Sequence, residues 1–303
     1  MLLRLPFLAA LAVVGTAVAQ QKGDQLPPPD PNANKLSETE KREGWQLLFD
    51  GAALSGLRGT RTGIDPLKNG WIIDRGALTL PKDIKRDGKV TGGDLVANVA
   101  FDDFEFRFDF RLAASADSGV LYFARGGMGQ KLTGCEYQII DDVHHPDGLK
   151  GGPIRQTASL YGVAPREGQA FVRVAQRWNE ELWNEGAIVV RGPRVEHWLN
   201  GEKRLEYDLG ADLQRRATAA KVRLPAGYGS KVKSPVVLLD QGTEIAFRNL
   251  KIRALAAPAP GTLAPLAGPV ATTPVPGSIV TRPTPVPLGG ATRSLPLPPK
   301  INR

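Results

Sequence analysis

The chain has 303 residues, 42% hydrophobic and 23% charged, which suits one large soluble domain or two small ones. A single cysteine excludes a disulfide framework and a four-thiolate zinc site, and three histidines leave little for a histidine-rich metal cage. The net charge of +8 comes from basic residues spread singly rather than in runs, so nothing points to nucleic acid as a partner.

In chain order, Arg4 precedes an apolar run from Leu5 to Val14, and Ala17-Val18-Ala19 follows before Gln20. A charged start, a short apolar stretch and an A-x-A site predict a signal peptide over residues 1–19, hence export to the periplasm or the exterior. The run falls short of the ~20 apolar residues of a transmembrane helix, and no other stretch is long and apolar enough to span a bilayer. Residues 20–36 are polar and Pro-rich and read as a flexible leader. Ser37 and Glu40 have the spacing of a capping box, predicting a short helix that Gly44 stops.

Residues 37–255 read as one nearly all-β domain. Phe104 to Leu112 alternates four phenylalanines and a leucine with Glu105, Arg107, Asp109 and Arg111, which places an apolar row on one face and charges on the other. Such alternation belongs to antiparallel sheets with one packed and one wet face. Further strands are expected at 71–73, 77–80, 119–123, 136–140, 187–191, 195–199, 235–239 and 244–253, with Asn200-Gly201 as a two-residue hairpin turn. Many short strands without a long helical period predict a β-sandwich. Residues 256–303 are rich in Pro, Ala and Thr and read as a disordered tail. Arg282, Arg293, Lys300 and Arg303 make that tail basic, so an envelope polymer is a candidate contact for it.

Three polar groups could carry chemistry. In the first, GCEYQIIDDVHHPD at 134–147, a strand at 136–140 puts Glu136 and Gln138 on one face and leads into Asp141, Asp142, His144, His145 and Asp147. That set could serve acid–base chemistry or bind a cation through oxygens, or could be a solvated loop in which Asp141 or Asp142 caps a turn. In the second, Glu196 and Trp198 share a face, and an indole beside a carboxylate is a platform for a pyranose; packing against a neighbouring sheet is the plainer alternative. His197 sits among apolar residues and reads as a core histidine. The third is the charged face of 104–112, either a groove for hydroxyl-rich ligands, joined by Arg155 and Tyr161 if 155–162 folds over it, or cross-strand ion pairing. Esterase, zinc-protease, P-loop and dinucleotide motifs are absent, and Cys135 has no activating base nearby in sequence.

Six blocks taken together resemble the bacterial 3-keto-disaccharide hydrolase domain, also described as a 3-keto-glucoside lyase and hydratase domain. They are GWQLLFDG (44–51), GDLVANVAFDDFEFRFDFRL (93–112), ADSGVLYFARG (116–126), GCEYQIIDD with HPD (134–147), VEHWLNGEKRLEYDLG (195–210) and DQGTEIAFRNLKIR (240–253). The resemblance implies a concanavalin-A-like jelly roll and glycosides oxidised to a ketone at sugar carbon 3 as substrates. A C3 ketone acidifies the C2 proton, so elimination of the C1 oxygen followed by hydration gives net hydrolysis.

On that resemblance Glu136 or His145 is the expected acid or base. Asp141 and Asp142 are the expected ligands of a divalent cation such as Ca or Mn, or orient a partner, with Asp142 also counted among the catalytic residues. Arg107, Gln138, Arg155, Glu196 and Trp198 are the expected sugar contacts, and no organic cofactor is expected. Two features depart from the family pattern. Gln241 stands where members often carry a histidine, so a non-catalytic carbohydrate-binding module of the same fold is the alternative function. WNEELWNEG at 178–186 is longer than the usual WNE. An ordinary retaining glycosidase built on Glu136 with Asp141 or Asp142 ranks last, because the spacing sets Glu136 and Asp141 on opposite strand faces.

Overall fold

The phenylalanine row of 104–112 organises the domain. The computed structural model describes residues 30–60, 65–68, 70–81, 85–86, 89–90, 93–126, 132–176 and 180–256. The expected signal peptide, most of the leader and the tail beyond Ala256 lie outside the described residues. Among the described residues no helix is long and apolar enough to cross a membrane.

Sixteen short strands form the frame among the described residues. They are β1 (Gln46–Leu47), β2 (Leu57–Gly59), β3 (Ile72–Asp74), β4 (Ala77–Leu80), β5 (Lys85–Arg86), β6 (Lys89–Val90), β7 (Leu95–Ala97) and β8 (Phe104–Ala113). They continue with β9 (Asp117–Arg125), β10 (Thr133–Ile140), β11 (Val174–Ala175), β12 (Asn184–Arg191), β13 (Arg194–Leu199), β14 (Glu202–Asp208), β15 (Val237–Leu238) and β16 (Ile245–Ala254). The larger sheet has the order β14-β13-β12-β8-β16-β4-β3, with β1 also on β16 and β11 also on β8. The smaller sheet has the order β10-β9-β15-β7-β2, and β5 pairs with β6. Apart from the parallel β11–β8 contact, all pairings are antiparallel. This is the expected all-β jelly-roll sandwich.

Phe104, Phe106, Phe108, Phe110 and Leu112 of β8 are buried in the same core as Val120 and Tyr122 of β9 and Cys135, Tyr137 and Ile139 of β10. Burying each phenylalanine contributes roughly 2–3 kcal/mol. Tyr137 spans the layer: its ring meets Phe108 edge-on at 5.3 Å and its hydroxyl donates to the Trp198 carbonyl at 2.9 Å. His197 is a core residue, as expected, its Nδ1 donating to the Ala158 carbonyl (3.0 Å) and its Nε2 accepting from the Tyr122 hydroxyl (2.8 Å). Burial holds its pKa down near about 4, so the ring stays neutral.

The other face of β8 is an ion-pair lattice, the cross-strand pairing that one of the two readings of its charges expects. Register sets Glu105 opposite Arg253 and Asp109 opposite Arg248, and the pairs close at 2.6 and 3.2 Å. Arg107 also binds Glu105 (2.7 Å), and Arg111 binds Glu181 (3.1 Å). Trp45 and Trp183 lie over this lattice, with Arg107 at 4.9 Å and Arg248 at 4.2 Å from their ring centres. In the long WNEELWNEG segment, Glu181 and Trp183 thus serve this outer face, while residues 177–179 lie outside the described ones.

Three local features qualify the expected boundaries. The capping box forms: α1 (Glu38–Arg42) starts with Ser37 Oγ accepting from Glu40 N and Glu40 Oε2 accepting from Ser37 N. Asn200 and Gly201 both take positive φ (51° and 82°), the type I′ geometry that joins β13 to β14. Upstream of Ser37, Asn34 is 5% exposed, because Asn34 and Asn249 exchange backbone-to-side-chain bonds of 2.6 and 2.8 Å. Two further helices, α2 (Pro146–Gly151) and α3 (Ala211–Ala219), were not read from the sequence. They are short, and α3 buries only Leu213 and Ala217.

Candidate functional site

On β9 and β10, period two sends alternate side chains into the core and out of it. Cys135, Tyr137 and Ile139 point in, so Glu136 and Gln138 point out from the smaller sheet, as their spacing predicts. On β9 the same rule puts Val120 and Tyr122 inside and Asp117, Gly119 and Leu121 outside. Register places Leu121 beside Glu136 and Gly119 beside Gln138. The next strand continues the row, with Val237 beside Leu121 and Val96 beside Val237. Val96, Leu121, Val237 and Leu239 form a small apolar cluster of their own, so the floor is polar on one side and apolar on the other.

Gly119 makes the polar half possible. A Cβ there would stand 2.6 Å from Glu136 Oε1 and 3.1 Å from its Cγ, so the Glu136 side chain occupies the space a residue-119 side chain would fill. Beside it, Gln138 Nε2 donates to Asp117 Oδ1 at 3.1 Å. The Asp117 backbone is clamped by Thr243, donating to its Oγ1 (2.8 Å) and accepting from it (2.6 Å). Burial pushes the Asp117 carboxyl up to about 6; the nearby His145 and the Gln138 amide work against that rise, and the Asp147 charge adds to it.

The segment after β10 folds back along its edge. Ala158 N donates to Gln138 O (2.9 Å), Gln138 N to Ser159 O (3.2 Å) and Tyr161 N to Glu136 O (3.1 Å). This carries α2 and Tyr161 to the rim of the site. His145 caps α2, its Nδ1 accepting from Asp147 N at 3.2 Å, which puts the ring N–H on Nε2. Asp147 accepts from the Tyr161 hydroxyl (2.9 Å) and is paired with Arg155, whose guanidinium lies 5.8 Å from the Tyr161 ring centre. Burial and the Asp147 carboxylate push the Tyr161 phenol up to about 12, so it remains a donor. Segment 155–162 therefore flanks Glu136, so the condition under which Arg155 and Tyr161 would join the charged face of 104–112 is not met.

Asp141 and Asp142 sit at the base of the loop in structural roles. Asp141 is fully buried and accepts from Ser115 N (2.8 Å), Val143 N (3.1 Å), His144 N (3.1 Å) and the His144 ring (2.8 Å). Burial alone would raise its carboxyl, but these donors hold it below the usual range. Asp142 is buried in an ion pair with Arg166 and accepts from Thr157 N at 2.8 Å; burial, only partly offset by Arg166, raises its carboxyl. With the oxygens of both carboxylates engaged by the chain itself, these two residues do not fit a cation site. Among the described residues no cluster of three His, Cys, Asp or Glu side chains could hold a metal ion.

The expected sugar contacts divide between two faces. Glu136, Gln138, His145 and Arg155 come together on the outside of the smaller sheet. Arg107, Glu196 and Trp198 lie on the outside of the larger one, across the core. There Trp198 aligns with Ala187 and Arg107 across three strands, and its Nε1 donates to Glu196 Oε2 at 2.8 Å. Asp117 and Gly119 also lie on the Glu136 face, and the period two of D-S-G-V-L is the signal that places both there. Cys135 is a buried thiol whose pKa burial pushes up to about 12, which fits its expected inertness.

Residues 44–253 match the family described as the 3-keto-alpha-glucoside-1,2-lyase-like domain. A 3-keto-disaccharide hydrolase of Bacteroides thetaiotaomicron is 28% identical over 239 residues, 70% of this chain and 79% of the relative. A solved structure of a proposed glycosyl hydrolase from Parabacteroides distasonis aligns with a TM-score of 0.60 at 26% identity, covering 74% of this chain and 100% of that one.

Proposed function

Because the chain belongs to the 3-keto-α-glucoside-1,2-lyase-like family, we propose that it cleaves 3-keto-glycosides by elimination followed by hydration, with Glu136 as the base. The observation that carries this reading is the Glu136 carboxylate lying over Gly119, beside an apolar floor of Leu121, Val237 and Leu239. A sugar ring resting its apolar face there presents its C2 hydrogen to a carboxylate on rigid strands. Removing that proton leaves an enolate whose charge sits on the C3 oxygen, and expulsion of the C1 oxygen then gives an enone. Water adds to C1 and the proton returns to C2, so the net result is hydrolysis.

His145 suits the enolate oxygen, because its Nδ1 is engaged by Asp147 N and its Nε2 proton is free to donate. Arg155 and the Tyr161 ring line the rim as sugar contacts, and Gln138 completes the floor. We further read the protein as exported, from the charge and apolar pattern before Gln20, which sets the reaction outside the cytoplasm. A non-catalytic carbohydrate-binding module is the second reading, favoured by Gln241, which is exposed in the same turn as the Thr243 that clamps Asp117.

The test is turnover of a chromogenic 3-keto-glucoside beside the unoxidised glucoside. Cleavage of the keto substrate alone supports elimination. Binding of the sugar without cleavage of either establishes the module.

A further inference from the structure

Elimination leaves one task unassigned: the departing C1 oxygen must acquire a proton unless the aglycone is a stable anion. We propose that Asp117 is the general acid of the site, protonating the leaving oxygen while Glu136 takes the C2 proton. The assignment rests on the elimination reading above and adds a second carboxyl to it.

The geometry points there on three counts. Asp117 and Gly119 are two residues apart on the same face of β9, and the Glu136 carboxylate lies over Gly119, so both carboxyl groups stand on one face of the smaller sheet. Asp117 is held rather than mobile: Thr243 clamps its backbone in both directions, Gln138 Nε2 donates to Oδ1 at 3.1 Å, and the Ser118 amide also donates to the carboxyl. The groups acting on it are Gln138 from β10, His145 capping α2, Asp147 from α2, the Ser118 amide and the neutral Thr243 from the turn before β16. Asp147 is itself committed to Arg155 and Tyr161. Burial keeps the Asp117 proton to about pH 6, as a donor requires.

The proton balance closes. Glu136 takes H2, the C2–H electrons form the enolate, and the enolate collapses to C1=C2 as the C1–O bond breaks. The Asp117 proton passes to the leaving oxygen, which departs as an alcohol. In hydration, water bonds to C1 and gives one proton to the Asp117 carboxylate, while Glu136 returns its proton to C2. Both carboxyl groups end as they began.

The experiment compares two 3-keto-glucosides, one with a nitrophenyl aglycone that leaves as a stable anion and one with an alkyl aglycone that does not. Asp117→Asn is expected to lower turnover of the alkyl substrate by about 10²–10⁴-fold, the usual worth of a general acid, and by at least tenfold less for the aryl one. In the wild-type protein, kcat/KM for the alkyl substrate falls as pH rises through about 6 while the aryl profile lacks that limb. This second readout requires no variant to fold. Equal loss on both substrates, or identical alkaline limbs, overturns the assignment and leaves the elimination reading standing. A wild type that cleaves neither substrate overturns both.

Discussion

Gly119 and Glu136 occupy one space: a methyl group on residue 119 would stand 2.6 Å from Glu136 Oε1. The backbone at Gly119 is ordinary strand, so alanine is conformationally acceptable there and the clash falls on the movable end of a side chain. Gly119→Ala is therefore expected to fold with a melting temperature near wild type while displacing the base. Turnover of a 3-keto-glucoside should fall about 10²-fold or more, as displacing a catalytic group by an ångström can cost. Glu136→Gln should lose turnover at least as fully. A Gly119→Ala protein with wild-type kinetics would remove Glu136 from the proton abstraction.

Trp198 and Arg107 lie across the core from Glu136, so their variants separate the two faces. Trp198→Ala removes an indole bonded to Glu196, and Arg107→Ala removes one partner of Glu105. Both are expected to keep kcat/KM within about twofold, with a stability cost of ~1 kcal/mol for each lost charge-assisted contact. Titration of the sugar against both variants, alongside turnover, checks this. A large rise in KM would restore the larger sheet as the sugar-binding face.

The sandwich was legible because its signal is local: alternation in 104–112, the Asn-Gly turn and the Ser37/Glu40 box each act within a few residues. That the two polar groups lie on opposite faces was not legible, because period two says that Glu136 and Gln138 share a face and that Glu196 and Trp198 share a face, but not that a core separates them. That relation is set by sheet order, which has Tyr137 reaching the Trp198 carbonyl through the interior. Asp141 and Asp142 misled for a related reason. A run of acids has the composition of a ligand set, and only the folded loop shows that Ser115, His144, Thr157 and Arg166 have taken their oxygens. The contact between Asn34 and Asn249 spans nearly the whole domain, beyond any window that reads a Pro-rich stretch as leader.

The structural assignment of Asp142 gives a stability prediction. Asp142→Ala leaves the buried Arg166 guanidinium without its carboxylate and frees the Thr157 amide. Breaking a buried pair from one side costs about 3–5 kcal/mol, seen as a melting temperature lower by many degrees. Chelator treatment of the wild type should leave the melting temperature unchanged if these two aspartates hold only the loop. A wild type that loses stability with chelator, or an Asp142→Ala protein that melts normally, would return Asp142 to the cation-ligand role.

The Asp117 carboxyl makes the folded state pH-sensitive in a calculable direction. Its folded pKa, about 6, lies above the unfolded value near ~3.9, so between those values the native state binds more protons than the unfolded one. Stability from this group is complete below about pH 4 and is lost as pH rises through about 6. Two pKa units correspond to roughly 3 kcal/mol at most, and solvent reaching the site reduces that to ~1–2 kcal/mol. Asp117→Asn keeps a neutral side chain at every pH and is spared the loss. The variant should therefore match wild type in denaturant at pH 4 and exceed it by ~1–2 kcal/mol at pH 7.5, while losing turnover of the alkyl 3-keto-glucoside. Asp109, also raised to about 6 by burial, contributes the same slope to both proteins and cancels in the comparison. A variant that is less stable than wild type at pH 7.5 would mean that the ionised Asp117 is held by its partners, and that the site does not store its proton.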